Sequence, residues 1–125
     1  MHLLLDTHVF LWIVADDKKL GAAARDTIRS ATQVYVSAAT VWEFAIKANL
    51  GKLKGDARAL VEAIAGSGML ELPIRAQHAV LAGALPPHHN DPFDRMLVAQ
   101  AITEPLRLLT ADPILAMYSE LVDLI

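Results

Sequence analysis

The sequence predicts an α/β fold in which a central parallel sheet of about five strands is flanked by helices, as one domain over residues 1–125. Three observations predict it. Short apolar runs such as HLLLD, QVYVS and LRLLT alternate with amphipathic stretches, the pattern that strand–helix–strand units produce. Hydrophobic residues make up 54% and charged ones 20%, with few aromatics, so a core can be built mainly from Leu, Ala, Val and Ile. The chain also lacks repeats, low-complexity segments and linkers, and its length is that of a single domain with a real core.

The elements follow in order. His2 to Asp6 reads as a buried first strand, followed by a helix over HVFLWIVA. LGAAARDTIRSA is a second helix and QVYVS a second strand ending at Ser37, which can cap a helix over AATVWEFAIKANLG with Gly51 as its stop. DARALVEAIAGSG repeats that plan, with Asp56 as cap and Gly66 and Gly68 at its end. MLEL is a third strand stopped by Pro73, and RAQHAVLAGAL a further helix. PPHHND is a loop, and Pro92 to Ile102 the next helix. LRLLT gives a fourth strand, DPILAMY a short helix and LVDLI a last strand.

Composition narrows the chemistry. Without cysteine there are no disulfides and no thiolate metal sites. The opening HLLLD is too short for a signal or a membrane span, which leads us to expect a soluble cytoplasmic protein. A net charge of −3 argues against holding nucleic acid with the whole surface, although a local basic patch can sit beside an acidic centre. Lys47, Lys52, Lys54 and Arg58 form one basic cluster, which reads first as a solvated helix end.

The stretch NDPFDRMLVAQA puts Asp91 and Asp94 one turn apart at a helix start. Asp91 suits the N-cap, Pro92 the first helical position, and Asp94 the positive end of the dipole. Three further acids fall near the carboxyl ends of predicted strands, where open α/β sheets bind ligands. Asp6 ends the first strand, Asp112 follows the fourth, and Glu43 lies in the helix leaving the second. Each has a simpler role. Asp6 and Asp112 can cap helices, and Glu43 can pair with Lys47 four residues on. Brought together, four carboxylates would repel one another and raise one another's pKa. A hard divalent cation, Mg²⁺ or Mn²⁺, relieves that repulsion with oxygen ligands.

The segments LLLDTH, VSAATVWEFAIK, NDPFDRMLVAQA and LLTADP resemble, in order and over nearly the whole chain, the four acidic motifs of the PIN domain, especially of VapC-type ribonuclease toxins. The resemblance implies a PIN-like three-layer fold and metal-binding acids at Asp6, Glu43, Asp94 and Asp112. It matches the family's hydroxyl residue near the fourth acid to Thr110. It further implies one or two Mg²⁺ or Mn²⁺ ions and hydrolysis of RNA to 5′-phosphate and 3′-hydroxyl ends. A VapB-type antitoxin and a homodimer are implied as partners. On this resemblance Asp91 is the cap and Asp94 the ligand.

Other residues invite weighing. His8, His88 and His89 lie near the acids but read as loop or surface residues, since metal-assisted hydrolysis needs no histidine. Arg95 can meet RNA backbone or pair with an acid. Phe10, Leu11, Trp12 and Trp42 suit a core, while Trp12 and Phe44 also suit a partner surface. Two rival functions remain. An aspartyl-phosphate phosphatase or receiver domain also places Asp at a strand end, but both need a late lysine and none follows Lys54; the phosphatase also needs a second Asp where His8 stands. A catalytically silent PIN-like module that binds RNA or protein is the second rival, and the filled acidic positions argue against it.

Overall fold

A computed structural model describes residues 1–125. The chain runs β1 (His2–Leu5), α1 (Thr7–Val14), α2 (Ala22–Ser30), β2 (Gln33–Ser37), α3 (Ala38–Asn49), α4 (Ala57–Gly66), β3 (Leu70–Leu72), α5 (Ala76–Ala84), α6 (Pro92–Thr103), β4 (Arg107–Thr110) and β5 (Val122–Leu124). All strand pairings are parallel, in the order β3-β2-β1-β4-β5. β1 is central, and Leu3, Leu4 and Leu5 have no solvent exposure, as a strand covered on both faces requires.

Strand alternation assigns the layers. Leu3 and Leu5 face a core with Val9 and Phe10 of α1, Ala24 of α2, Phe44 of α3 and Leu60 and Ile64 of α4. Leu4 faces the opposite core with Leu97, Val98 and Ala101 of α6 and Leu115. The sheet is thus sandwiched between helices, the three-layer PIN-like arrangement expected from the sequence. Phe44 settles in the first core and is 6% exposed, so the partner-surface role open to it in the sequence is excluded. Trp42, considered for the core, is instead 60% exposed and meets Phe93 edge to face.

Helix ends follow local chemistry. Ser37 accepts from the Ala39 N–H and Asp56 from the Arg58 N–H, both as expected. Gly51, two residues beyond α3, has φ of +75°, a left-handed conformation that glycine adopts without strain. Gly55 has φ of +129°, and a Cβ there would stand 3.0 Å from Phe44 Cζ, so only glycine lets this turn lie against the core. One element departs from expectation. DPILAMY forms only a single 3₁₀ turn at Leu115–Met117, with bonds from Leu115 N–H to Asp112 C=O and from Tyr118 N–H to Leu115 C=O. The buried Leu115 pins this turn to the core, and only a few residues remain before β5 must begin.

Candidate metal centre

The strand order reverses beside β1. The chain moves from β1 to β2 and β3 on one side, then places β4 and β5 on the other. Such a switch point opens a crevice at the carboxyl ends of the two strands. Asp6 follows β1 there, and Thr110 ends β4 opposite it. The Thr110 hydroxyl donates to Asp6 Oδ2 at 2.6 Å, tying the two strand ends together. Asp6 occupies the N-cap position of α1, but its side chain makes no capping hydrogen bond. Its simpler role is therefore not realised. Its Oδ1 is the one buried side-chain polar atom without a hydrogen-bond partner, a cost of roughly 1–3 kcal/mol unless something binds there. Burial, more than the neighbouring charge of Glu43, raises the Asp6 pKa against the opposing Thr110 bond.

Asp94 enters from α6. Asp91 Oδ1 accepts from the N–H groups of Phe93 and Asp94 at 2.8 and 3.0 Å, with Pro92 in the first turn. Asp91 is thus the cap, which leaves the Asp94 carboxyl free of that task. Burial, followed by the charges of Asp6, Asp91, Glu43 and Asp112, pushes the Asp94 carboxyl up to about 7. Asp112 combines two roles: its Oδ1 accepts from the Ile114 N–H at 3.0 Å, while its Oδ2 lies 3.3 Å from His89 Nε2. Asp6, Asp94 and Asp112 line one cleft of about 210 Å³ with His8, Trp12 and Ala111.

Glu43 stands apart from that lining. Buried in α3, it accepts from the Thr7 hydroxyl at 2.9 Å and from Lys47 Nζ at 2.6 Å. The i,i+4 pair anticipated from the sequence is therefore formed, and it removes Lys47 from the basic cluster. The hydrogen bond to Glu43 raises the Lys47 pKa, and the charges of Asp91 and Asp94 add to it. Both Glu43 oxygens have protein partners, whereas Asp6 has one to spare.

Two residues make contacts that the sequence did not indicate. His89 lies in the loop, as expected, but half-buried against the acids. Its Nε2 lies 3.1 Å from Asp94 Oδ2 as well as 3.3 Å from Asp112, and the three side chains form a cluster of possible ligand atoms within 4.8 Å. Arg95 pairs with no acid. Its guanidinium donates to the carbonyls of Ala82, Leu85, Pro86 and His89 and to the Tyr118 hydroxyl. It thereby satisfies carbonyls left open at the end of α5 and fastens the following loop to α6. The adjacency of His89 to the capped helix start was the only signal in the sequence, since its partners are 5 and 23 residues away. His88 keeps a surface role against Tyr118, and His78, buried in α5, pairs with Glu104.

The donor set fits a hard cation. An orphaned buried oxygen, a carboxyl raised by burial and then by neighbouring charge, and a further acid in the same cleft are what such an ion satisfies. Comparison with solved structures gives the same fold. A VapBC2 complex of Rickettsia felis bound to a promoter DNA fragment superposes with a TM-score of 0.70 at 14% identity, covering 99% of this chain and 97% of that one. A toxin–antitoxin complex from Klebsiella pneumoniae gives 0.69 at 18% identity, covering 97% and 95%. FitAcB from Neisseria gonorrhoeae gives 0.64 at 20%, covering 93% and 91%. No curated protein matches the chain by sequence. The PIN domain family matches over residues 3–121, a span that contains all four acids and Thr110; the chain belongs to the PIN domain family.

Proposed function

We propose that the chain is a metal-dependent endoribonuclease and the toxin of a type II toxin–antitoxin pair. The observation that carries this reading is the unpartnered Asp6 Oδ1 at the switch point, with Asp94 and Asp112 lining the same cleft. Asp6, Asp94 and Asp112 would hold one or two Mg²⁺ or Mn²⁺ ions, with Glu43 completing the site from behind. Such an ion, when bound, supplies Lewis acidity toward a phosphoryl oxygen and a more acidic water. Thr110 holds Asp6 in one orientation, and Asp91 fixes the backbone that carries Asp94. Cleavage there would leave 5′-phosphate and 3′-hydroxyl ends.

Solved neighbours that are toxin–antitoxin complexes support a VapB-type antitoxin as partner, and the family resemblance supports a homodimer. No helix is long and apolar enough to cross a membrane, which is compatible with action on RNA in the cytoplasm. The test is cleavage of end-labelled RNA by the purified protein in Mg²⁺, Mn²⁺ or chelator, with Asp6→Asn alongside. Metal-dependent cleavage leaving ligatable 5′-phosphates, absent in Asp6→Asn, is expected. RNA binding without cleavage under every metal condition would establish the silent module instead.

A further inference from the structure

We infer that the cavity beside the metal centre is a nucleobase subsite. Trp12 is its stacking platform, Lys19 its cation, and its occupant an unpaired base of the RNA nucleotide next to the scissile phosphate. This subsite rests on the reading of the cleft as an RNA-cleaving centre. The cavity measures about 430 Å³, within the roughly 300–1,000 Å³ of small-molecule sites. Trp12, Lys19, Thr27, Ala111, Leu124 and Ile125 are among its walls. Trp12 and Ala111 also line the cleft of Asp6, Asp94 and Asp112, so the two spaces adjoin.

The sheet explains why they adjoin. Ala111 follows β4, and Leu124 of β5 lies in register with Thr110. The cavity therefore continues the carboxyl rim one strand beyond the switch point, with α2 closing it through Thr27. An RNA strand with a phosphate among the acids places a neighbouring nucleotide at this rim. The walls suit a base. Leu124 and Ile125 are 52% and 43% exposed, apolar area that a planar ring would cover. Trp12 is half-buried and packs against the core that contains Phe10 and Leu20, which fixes its ring. Lys19 is exposed and makes no ion pair. Its backbone N–H donates to Asp17 Oδ1 at 2.9 Å, which holds the turn that carries it. An aromatic face beside a free cation is how proteins hold unpaired bases and the phosphates that join them.

The test reads binding and turnover separately. In ¹H–¹⁵N spectra of the wild type in Mg²⁺, 5′-AMP or 3′-AMP should shift the indole N–H signal of Trp12 to saturation, and ribose 5-phosphate should not. The signal of the exposed Trp42 should stay in place as internal reference. In cleavage of end-labelled RNA, Trp12→Ala should raise KM about tenfold with kcat within about twofold, and Trp12→Phe should stay within about threefold of wild type. Thr27→Phe fills the cavity away from the acids and should raise KM as Trp12→Ala does, which keeps the test decisive if loss of Trp12 disturbs the core. An abasic nucleotide on one side of the mapped cut should cost the wild type the same factor and cost Trp12→Ala nothing more. Equal shifts from AMP and ribose 5-phosphate, or an unchanged KM in both Trp12→Ala and Thr27→Phe, overturn the subsite, leave the metal centre standing and turn the cavity toward a protein partner. A base-dependent shift in a protein that cuts no RNA under any metal condition overturns the proposed function and keeps the subsite as that of a binding module.

Discussion

Replacing Asp94 by Asn should stabilise the metal-free protein, and by an amount that depends on pH. The Asp94 side chain is 20% exposed. Burial, then the charges of Asp6, Asp91, Glu43 and Asp112, moves its carboxyl from 3.8 up to about 7. A carboxyl pKa raised by folding means that the folded chain holds the proton more tightly than the unfolded one. Stability therefore falls as pH rises from about 4 to about 7 and levels off above that. At about 1.4 kcal/mol per tenfold change in acidity, the full effect is about 4 kcal/mol. Partial solvent access and relaxation of the cleft roughly halve it, to about 2 kcal/mol. Asn keeps the size of the side chain but cannot ionise. In chelator at about pH 8, Asp94→Asn should thus melt higher than wild type by about 5–10 °C. Near pH 4 the two curves should converge. Thermal melts of both proteins across this range give the result. An Asn variant less stable at pH 8, or a difference that does not vary with pH, would refute the reasoning.

Asp91→Asn should leave both stability and cleavage nearly unchanged, because Asn caps as well as Asp, whereas Asp94→Asn should abolish cleavage; equal losses in an RNA assay would contradict the division of roles. Millimolar Mg²⁺ or Mn²⁺ should raise the wild-type melting temperature by mass action, by about 2.7 kcal/mol of stability at a hundredfold excess over Kd, and should raise that of Asp6→Asn far less. Arg95→Lys should lose about 2 kcal/mol in urea denaturation, since one ammonium cannot reach the carbonyls on both sides of the loop that the guanidinium spans. An antitoxin that inhibits the site should insert an Arg among the acids, with further affinity from apolar contacts that include the half-buried Trp12; Arg→Ala in its tail should release cleavage while most binding, measured by calorimetry, persists.

The sequence by itself determined what depends on neighbours a few residues apart. The Asp91 cap, the Ser37 and Asp56 caps and the Glu43–Lys47 pair were all legible, because each is an interaction across two to four residues whose geometry the helix dictates. Apolar runs likewise marked the strands, since burial on both faces leaves no choice of polarity. The same local logic misjudged the 3₁₀ turn after Asp112, where the distance to β5 rather than propensity sets the length. Tertiary structure alone decided the rest. Nothing in the sequence states that β4 lies beside β1, yet that neighbour relation brings Thr110 to Asp6 across 104 residues and creates the crevice. It cancels the capping role open to Asp6 and leaves Oδ1 without a partner. Phe44 could face outward or inward until α4 and Gly55 closed over it. The place of His89 beside the acids and the carbonyl contacts of Arg95 were not legible for one reason: their neighbours lie on other elements, at Asp112, Tyr118 and the end of α5. A long polar side chain bonds to whatever the packed fold carries within its reach, and that is fixed only when the layers are assembled.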